Sequence, residues 1–132
     1  MTNHRNTSTP LHIAAWICQI LLALTLLWAS GMKLFKPASQ LAQMWPWTAP
    51  NPLLTKLTGV LDFLGALGLI LPQVLRIRPI LTVYTAYAII ALMVAASVFH
   101  ITRGEASQIG INVAFALMAA FIAWVRSKKT PA

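Results

Sequence analysis

Asp62 is the residue of this sequence that most needs a reason. It stands in "GVLDFLGALGLILP" (59–72), an almost wholly apolar stretch, and the only other acidic residue in the 132-residue chain is Glu105. A carboxylate in apolar surroundings has three outlets: a cation beside it, a proton on it, or a bound ligand. Lys33 and His100 are the cations that could serve, with Asn112 and Gln19 as amides able to orient a polar guest. Metal and thiol chemistry are poorly supplied. Three scattered histidines and one cysteine make no recognisable metal site, and Cys18, without a CxxC partner, forms no internal disulfide.

The elements that must place these residues follow from composition. Hydrophobic residues make up 58% of the chain and charged residues 9%, against roughly 25% charged in a soluble domain. So few charges cannot cover a water-facing surface, and lipid becomes the expected solvent. The net charge of +8 does not point to nucleic acid. The basic residues fall at the ends of apolar segments, with no basic stripe and no interleaved stacking aromatics.

Four segments reach the length of about 20 apolar residues that crosses a bilayer. They are expected at 11–35, 52–71, 79–101 and 107–125, with Pro72 stopping the second. The first follows a basic leader but is longer than a signal core, and it reads as an uncleaved helix. Short links at 73–78 and 102–106 make neighbours antiparallel. The expected fold is all-α, a four-helix transmembrane bundle: a polar leader (1–10), a membrane domain (11–126) and a basic tail (127–132). Arg5, Arg76, Arg78, Arg126, Lys128 and Lys129 flank one side, and Lys33, Lys36, Lys56 and Arg103 the other. Six against four places both termini in the cytoplasm of a bacterial inner membrane. The basic rim reads first as a topology signal towards anionic lipid. In the connection 36–51, "PASQLAQMW" suits a short interfacial helix, and Trp45 and Trp47 suit either an anchor in the headgroup zone or a lid over a site between helices.

Each span has one face unsuited to lipid. His12, Gln19, Leu26 and Lys33 recur every seven residues, with Ala15, Ala23 and Ser30 on the same stripe. Thr58, Gly59, Asp62, Gly65 and Ala66 share a face of the second span; Thr82, Ala86, Met93, Ala96 and His100 of the third; Asn112, Ala116, Ala119 and Ala123 of the fourth. Small residues there allow close helix contact. Lys33, Asp62, His100 and Asn112 belong to the half away from the termini, which makes a Lys33–Asp62 pair feasible. Each also has a plainer reading. Asp62 could be a latch fixing helix register, and Lys33 could snorkel to the interface. Glu105 suits the positive end of the fourth helix or a pair with Arg103. Gln19 and Asn112 read as interhelical hydrogen-bonders, and Tyr84 and Tyr87 as packing.

The sequence resembles the DoxX-like family of small bacterial integral membrane proteins. The resemblance rests on "GMKLF" (31–35), "LDFLGALGLILP" (61–72), "RIRP" (76–79), "FHITRGE" (99–105) and "NVAFALMAAFIAWVR" (112–126). It implies a four-helix membrane bundle. Some relatives are similar to membrane subunits of thiosulfate:quinone oxidoreductase, and others are associated with redox assemblies. Carried over, this makes Lys33, Asp62, His100 and Glu105 candidates for a quinone or small-ligand pocket in a redox-associated subunit. The chain has no cofactor motif of its own, so electrons would need a quinone or a partner subunit. Two alternatives stand beside this reading: a non-catalytic scaffold or assembly factor, with a homo-oligomer as one form of it, and a small proton-coupled transporter. Four helices with one intramembrane carboxylate are similar to the dimeric small multidrug resistance transporters, but their essential acid lies in the first helix, and here that helix has none.

Overall fold

A computed structural model describes residues 9–129. The expected leader, including Arg5, lies outside the described residues up to residue 8, as does the tail beyond 129. Five α-helices follow in order: α1 (Thr9–Phe35), α2 (Ala38–Met44), α3 (Pro52–Leu75), α4 (Ile80–Thr102) and α5 (Ile109–Lys129). Short 3-10 turns at Pro46–Thr48 and Ala106–Gln108 precede α3 and α5. Four helices, α1, α3, α4 and α5, are long and apolar enough to cross a membrane, and no strand occurs among the described residues. The short α2 lies in the connection that carries the tryptophans, with Pro37 at its N-cap.

The predicted stripes become the inside of the bundle. Ala15, Gln19, Ala23, Leu26 and Ser30 are buried on α1, and Gly59, Asp62 and Ala66 on α3. Thr82, Ala86 and Met93 are buried on α4, and Ala119 and Ala123 on α5. Leu22, Leu69, Ile89 and Ile122 fill the space between these small residues. The outward faces carry Ile13, Leu24, Leu64, Val94 and Leu117, all exposed as lipid-facing side chains should be. Tyr84 and Tyr87, expected to pack, also face outward, because they alternate with the buried Val83 and Ala86 around the helix. Lys33 meets Asp62, Leu26 approaches Gly65, and Gln19 reaches Leu69, so α1 and α3 run in opposite directions. Thr82 at Gly68 and Ile89 near Gly65 give the same sense for α3 and α4.

Pro72 does not end its helix. It lies inside α3, buried, and the helix continues to Leu75. A proline leaves the carbonyl four residues earlier without its helical donor, and in lipid that carbonyl must find another. The carbonyl of Gly68 accepts from Thr82 Oγ1 at 3.2 Å, and the next one, Leu69, accepts from Gln19 Nε2 at 2.6 Å. Side chains of two neighbouring helices thus complete the turn that the proline opens.

Arg126 also departs from its expected place. It was expected on the basic rim, yet α5 carries it into the bundle, where it is 1% exposed. Its Nε donates to Gln19 Oε1 at 2.6 Å, and its Nη1 lies 2.8 Å from His12 Nδ1. The guanidinium also sits over the Trp16 ring, 5.3 Å from its centroid. The burial is tolerable because the planar fork meets fixed acceptors on α1. Residues 127–129, expected as a tail, continue α5. Moving Arg126 and Lys33 from rim to interior subtracts one from each flank, so the charge asymmetry between the two sides is unchanged.

Candidate functional site

The polar half of the bundle away from Arg126 is built on one close helix contact. A methyl group added at Gly59 would stand 3.0 Å from Lys33 Cβ and 3.1 Å from the Leu34 side chain. Glycine at this position lets α1 and α3 approach at the level where Lys33 and Asp62 meet. Lys33 Nζ donates to Asp62 Oδ2 at 2.8 Å, with the two side chains only 13% and 4% exposed. The ammonium also lies 5.9 Å and 5.6 Å from the centroids of Trp45 and Trp47, within reach of both ring faces. Lys56 stays outside this cluster. Its ammonium donates to the carbonyls of Lys33 and Leu34, closing the C-terminal end of α1.

Lys33 and Asp62 border a cavity of about 460 Å³. Thr58 adds to its α3 wall, Met93, Ala96 and His100 form the α4 wall, Asn112 comes from α5, and Trp45 and Trp47 close it from the loop. Leu57, Leu61, Ala95 and Ile111 line it too and are themselves exposed on outward helix faces. The cavity therefore opens between helices towards the lipid side. Trp47 stands edge-on to both Phe99 and His100, and Trp45 edge-on to Trp28, which fixes the two indoles in place.

Within this cavity Asn112 is the group left over. Its Nδ2 is buried and has no hydrogen-bond partner among the described residues. A buried amide N–H left unmade costs about 1–3 kcal/mol, so a guest that supplies an acceptor would be favoured there. The donors Lys33 Nζ and Asn112 Nδ2, set among aromatic walls, suit a flat apolar molecule carrying carbonyl oxygens.

His100 is held from outside the cavity. Its Nδ1 lies 2.9 Å from Glu105 Oε1, and Arg103 donates to the same carboxylate through Nε at 3.1 Å and Nη2 at 3.3 Å. An ionised carboxylate only accepts, so the shared proton sits on Nδ1 and the imidazole is oriented by it. Glu105 precedes the last spanning helix, as expected, but its side chain caps no N–H there; it turns back to His100 and Arg103. The His100 hydrogen bond first, and Arg103 second, hold its carboxyl below the usual glutamate range. With the folded value lowered, the stabilising contribution is complete above the unfolded value and is lost only as pH falls through the folded one. The difference in melting temperature between wild type and Glu105→Gln is expected to stay constant down to about pH 5 and to shrink below about pH 4.3. A difference that already closes near pH 6 would show that the clasp does not form.

A family model matches residues 17–122, described as the DoxX-like family. The chain belongs to the DoxX-like family. Neither a curated protein nor a solved structure matches it. The matched stretch runs from α1 into α5 and contains Lys33, Asp62, His100, Glu105, Asn112 and both loop tryptophans. Family and apolar helices together make this an integral membrane helical bundle.

Of the sequence-predicted residues, this DoxX-like protein gathers Lys33, Asp62, His100, Asn112, Trp45 and Trp47 around one cavity, with Glu105 behind His100. Gln19 lies apart, at the Arg126 end. Sequence reasoning missed Arg126, although spacings of four and three from Ala119 through Ala123 put it on the inner stripe of α5.

Proposed function

We propose that this DoxX-like protein is a redox-associated membrane subunit that binds a quinone headgroup between its helices. The observation that carries the reading is the buried, unpartnered Asn112 Nδ2 in a cavity that also presents the Lys33 ammonium. A quinone offers two carbonyl acceptors on an apolar ring: Asn112 Nδ2 has no acceptor among the described residues, and Lys33 Nζ, bonded to Asp62, has further N–H groups to donate. Its tail could leave past Leu57, Leu61 and Ile111 without crossing water. Quinones supply reversible two-electron, two-proton chemistry when bound. The chain's own part is to orient the headgroup through Asn112 and Lys33, to keep water out beneath Trp45 and Trp47, and to hold protons on the Lys33–Asp62 and His100–Glu105 pairs. Electrons come from a redox partner subunit. The basic flanks support a bacterial inner-membrane location with both termini cytoplasmic.

The test uses Asn112→Leu, because replacing an unsatisfied buried amide by an apolar group of similar size is near neutral or stabilising. The variant is expected to melt no lower than wild type without ligand. Decylubiquinone at a hundredfold excess over Kd should stabilise wild type by about 2.7 kcal/mol and Asn112→Leu far less. Equal shifts in both proteins, or none in wild type with benzoquinone- and naphthoquinone-type ligands, would defeat the reading. The Lys33–Asp62 latch between α1 and α3 favours the second reading, a non-catalytic scaffold. A quinone-insensitive protein whose Asp62→Leu variant loses assembly would move the assignment there.

A further inference from the structure

At the other end of the bundle a groove of about 510 Å³ runs between α3 and α4. Leu67, Leu71, Leu75 and Ile77 line one side, Leu81 and Tyr84 the other. From Leu67 to Leu75 the wall extends about 12 Å along the helix, and it is apolar throughout apart from the hydroxyls of Thr85 and Tyr84. Ile77 enters this lining between Arg76 and Arg78, both exposed. Both arginines have left-handed backbone, with φ of 57° and 46°. Glycine takes that conformation freely and a side-chain-bearing residue does not, so two arginines here keep charge where shape alone would favour glycine.

Neither arginine has an ion-pair partner among the described residues. The chain has only two acidic side chains, and both are engaged at the opposite end, Asp62 by Lys33 and Glu105 by His100 and Arg103. No side-chain carboxylate is therefore left for Arg76 and Arg78, and an anion brought by a ligand can take that place. Beside an apolar groove at the end of a membrane helix, the anion that arrives with an apolar chain attached is a phospholipid phosphate. We infer that this groove is a binding site for an anionic phospholipid, with an acyl chain between α3 and α4 and the headgroup phosphate on Arg76 and Arg78. The site is separate from the cavity and independent of what the cavity binds.

The test is native mass spectrometry of the delipidated full chain in detergent with equimolar dioleoyl phosphatidylglycerol and dioleoyl phosphatidylcholine. Wild type is expected to retain phosphatidylglycerol, and R76Q/R78Q to retain it roughly tenfold less. Ala88→Phe, which fills the groove and leaves both charges, should also lose it, and millimolar inorganic phosphate should not displace it. R76G/R78G relieves the left-handed backbone, so it should melt no lower than wild type while losing the lipid, which separates binding from folding. Equal retention of the two lipids, wild-type retention by R76Q/R78Q, or displacement by phosphate with Ala88→Phe unaffected would overturn the inference.

Discussion

Asp62→Leu is expected to destabilise the bundle by about 3–5 kcal/mol, the cost of breaking a buried ion pair by removing one partner. What remains is the Lys33 ammonium, 13% exposed and covered by Trp45 and Trp47, with no carboxylate to answer it. Asp62→Asn should cost less, because its carboxamide oxygen still accepts from Lys33 Nζ. Adding Lys33→Met to Asp62→Leu should recover most of the loss, since a matched apolar pair at such a site is often neutral or better. Unfolding in mixed micelles measures all four corners of this cycle, and the coupling between the two positions is the decisive quantity. A leucine variant within about 1 kcal/mol of wild type would mean that the pair is solvated, as exposed pairs are. It would then be neither a latch nor a proton-holding part of the cavity.

That pair was readable in the sequence because two signals agree. Acidic residues are scarce enough that Asp62 had to have a cause, and the seven-residue spacing that ends at Lys33 put a cation on the inner stripe of α1. The same periodicity brought His100 and Asn112 to the cavity wall. What failed was reasoning from a residue's local role. Pro72 should stop a helix on local grounds, yet Thr82, ten residues on and in the next helix, supplies the missing donor. For Glu105 the dipole of the following helix is the reading that fails; the pair with Arg103 forms, and the imidazole five residues back joins it. Arg126 was read with the lysines behind it as a rim charge. Its burial depends on Gln19 and His12, more than a hundred residues earlier in the chain. Stripe position gave the direction of Arg126, but its partners were visible only once α1 and α5 were side by side.

Arg126 also governs the other large expected effect. Arg126→Met should cost about 3 kcal/mol, because it takes this donor from the fully buried Gln19 Oε1 and from the part-buried His12 Nδ1. Arg126→Lys should not restore the loss: a single ammonium cannot reproduce the two bonds that Nε and Nη1 direct to separate acceptors. Gln19 passes the effect onward, since its Nε2 holds the Leu69 carbonyl beside the turn opened by Pro72. Hydrogen exchange in Arg126→Met should therefore quicken over 69–75 and leave 30–36 unchanged. Gln19 and Lys33 are fourteen residues apart on α1, about 21 Å, and the hydrogen bonds of the two polar clusters among the described residues have no residue in common. Asp62→Leu and Arg126→Met should then add to within about 0.5 kcal/mol when combined. A marked departure from that sum would mean that the two ends communicate through α1 and α3, and that the cavity senses the Arg126 cluster.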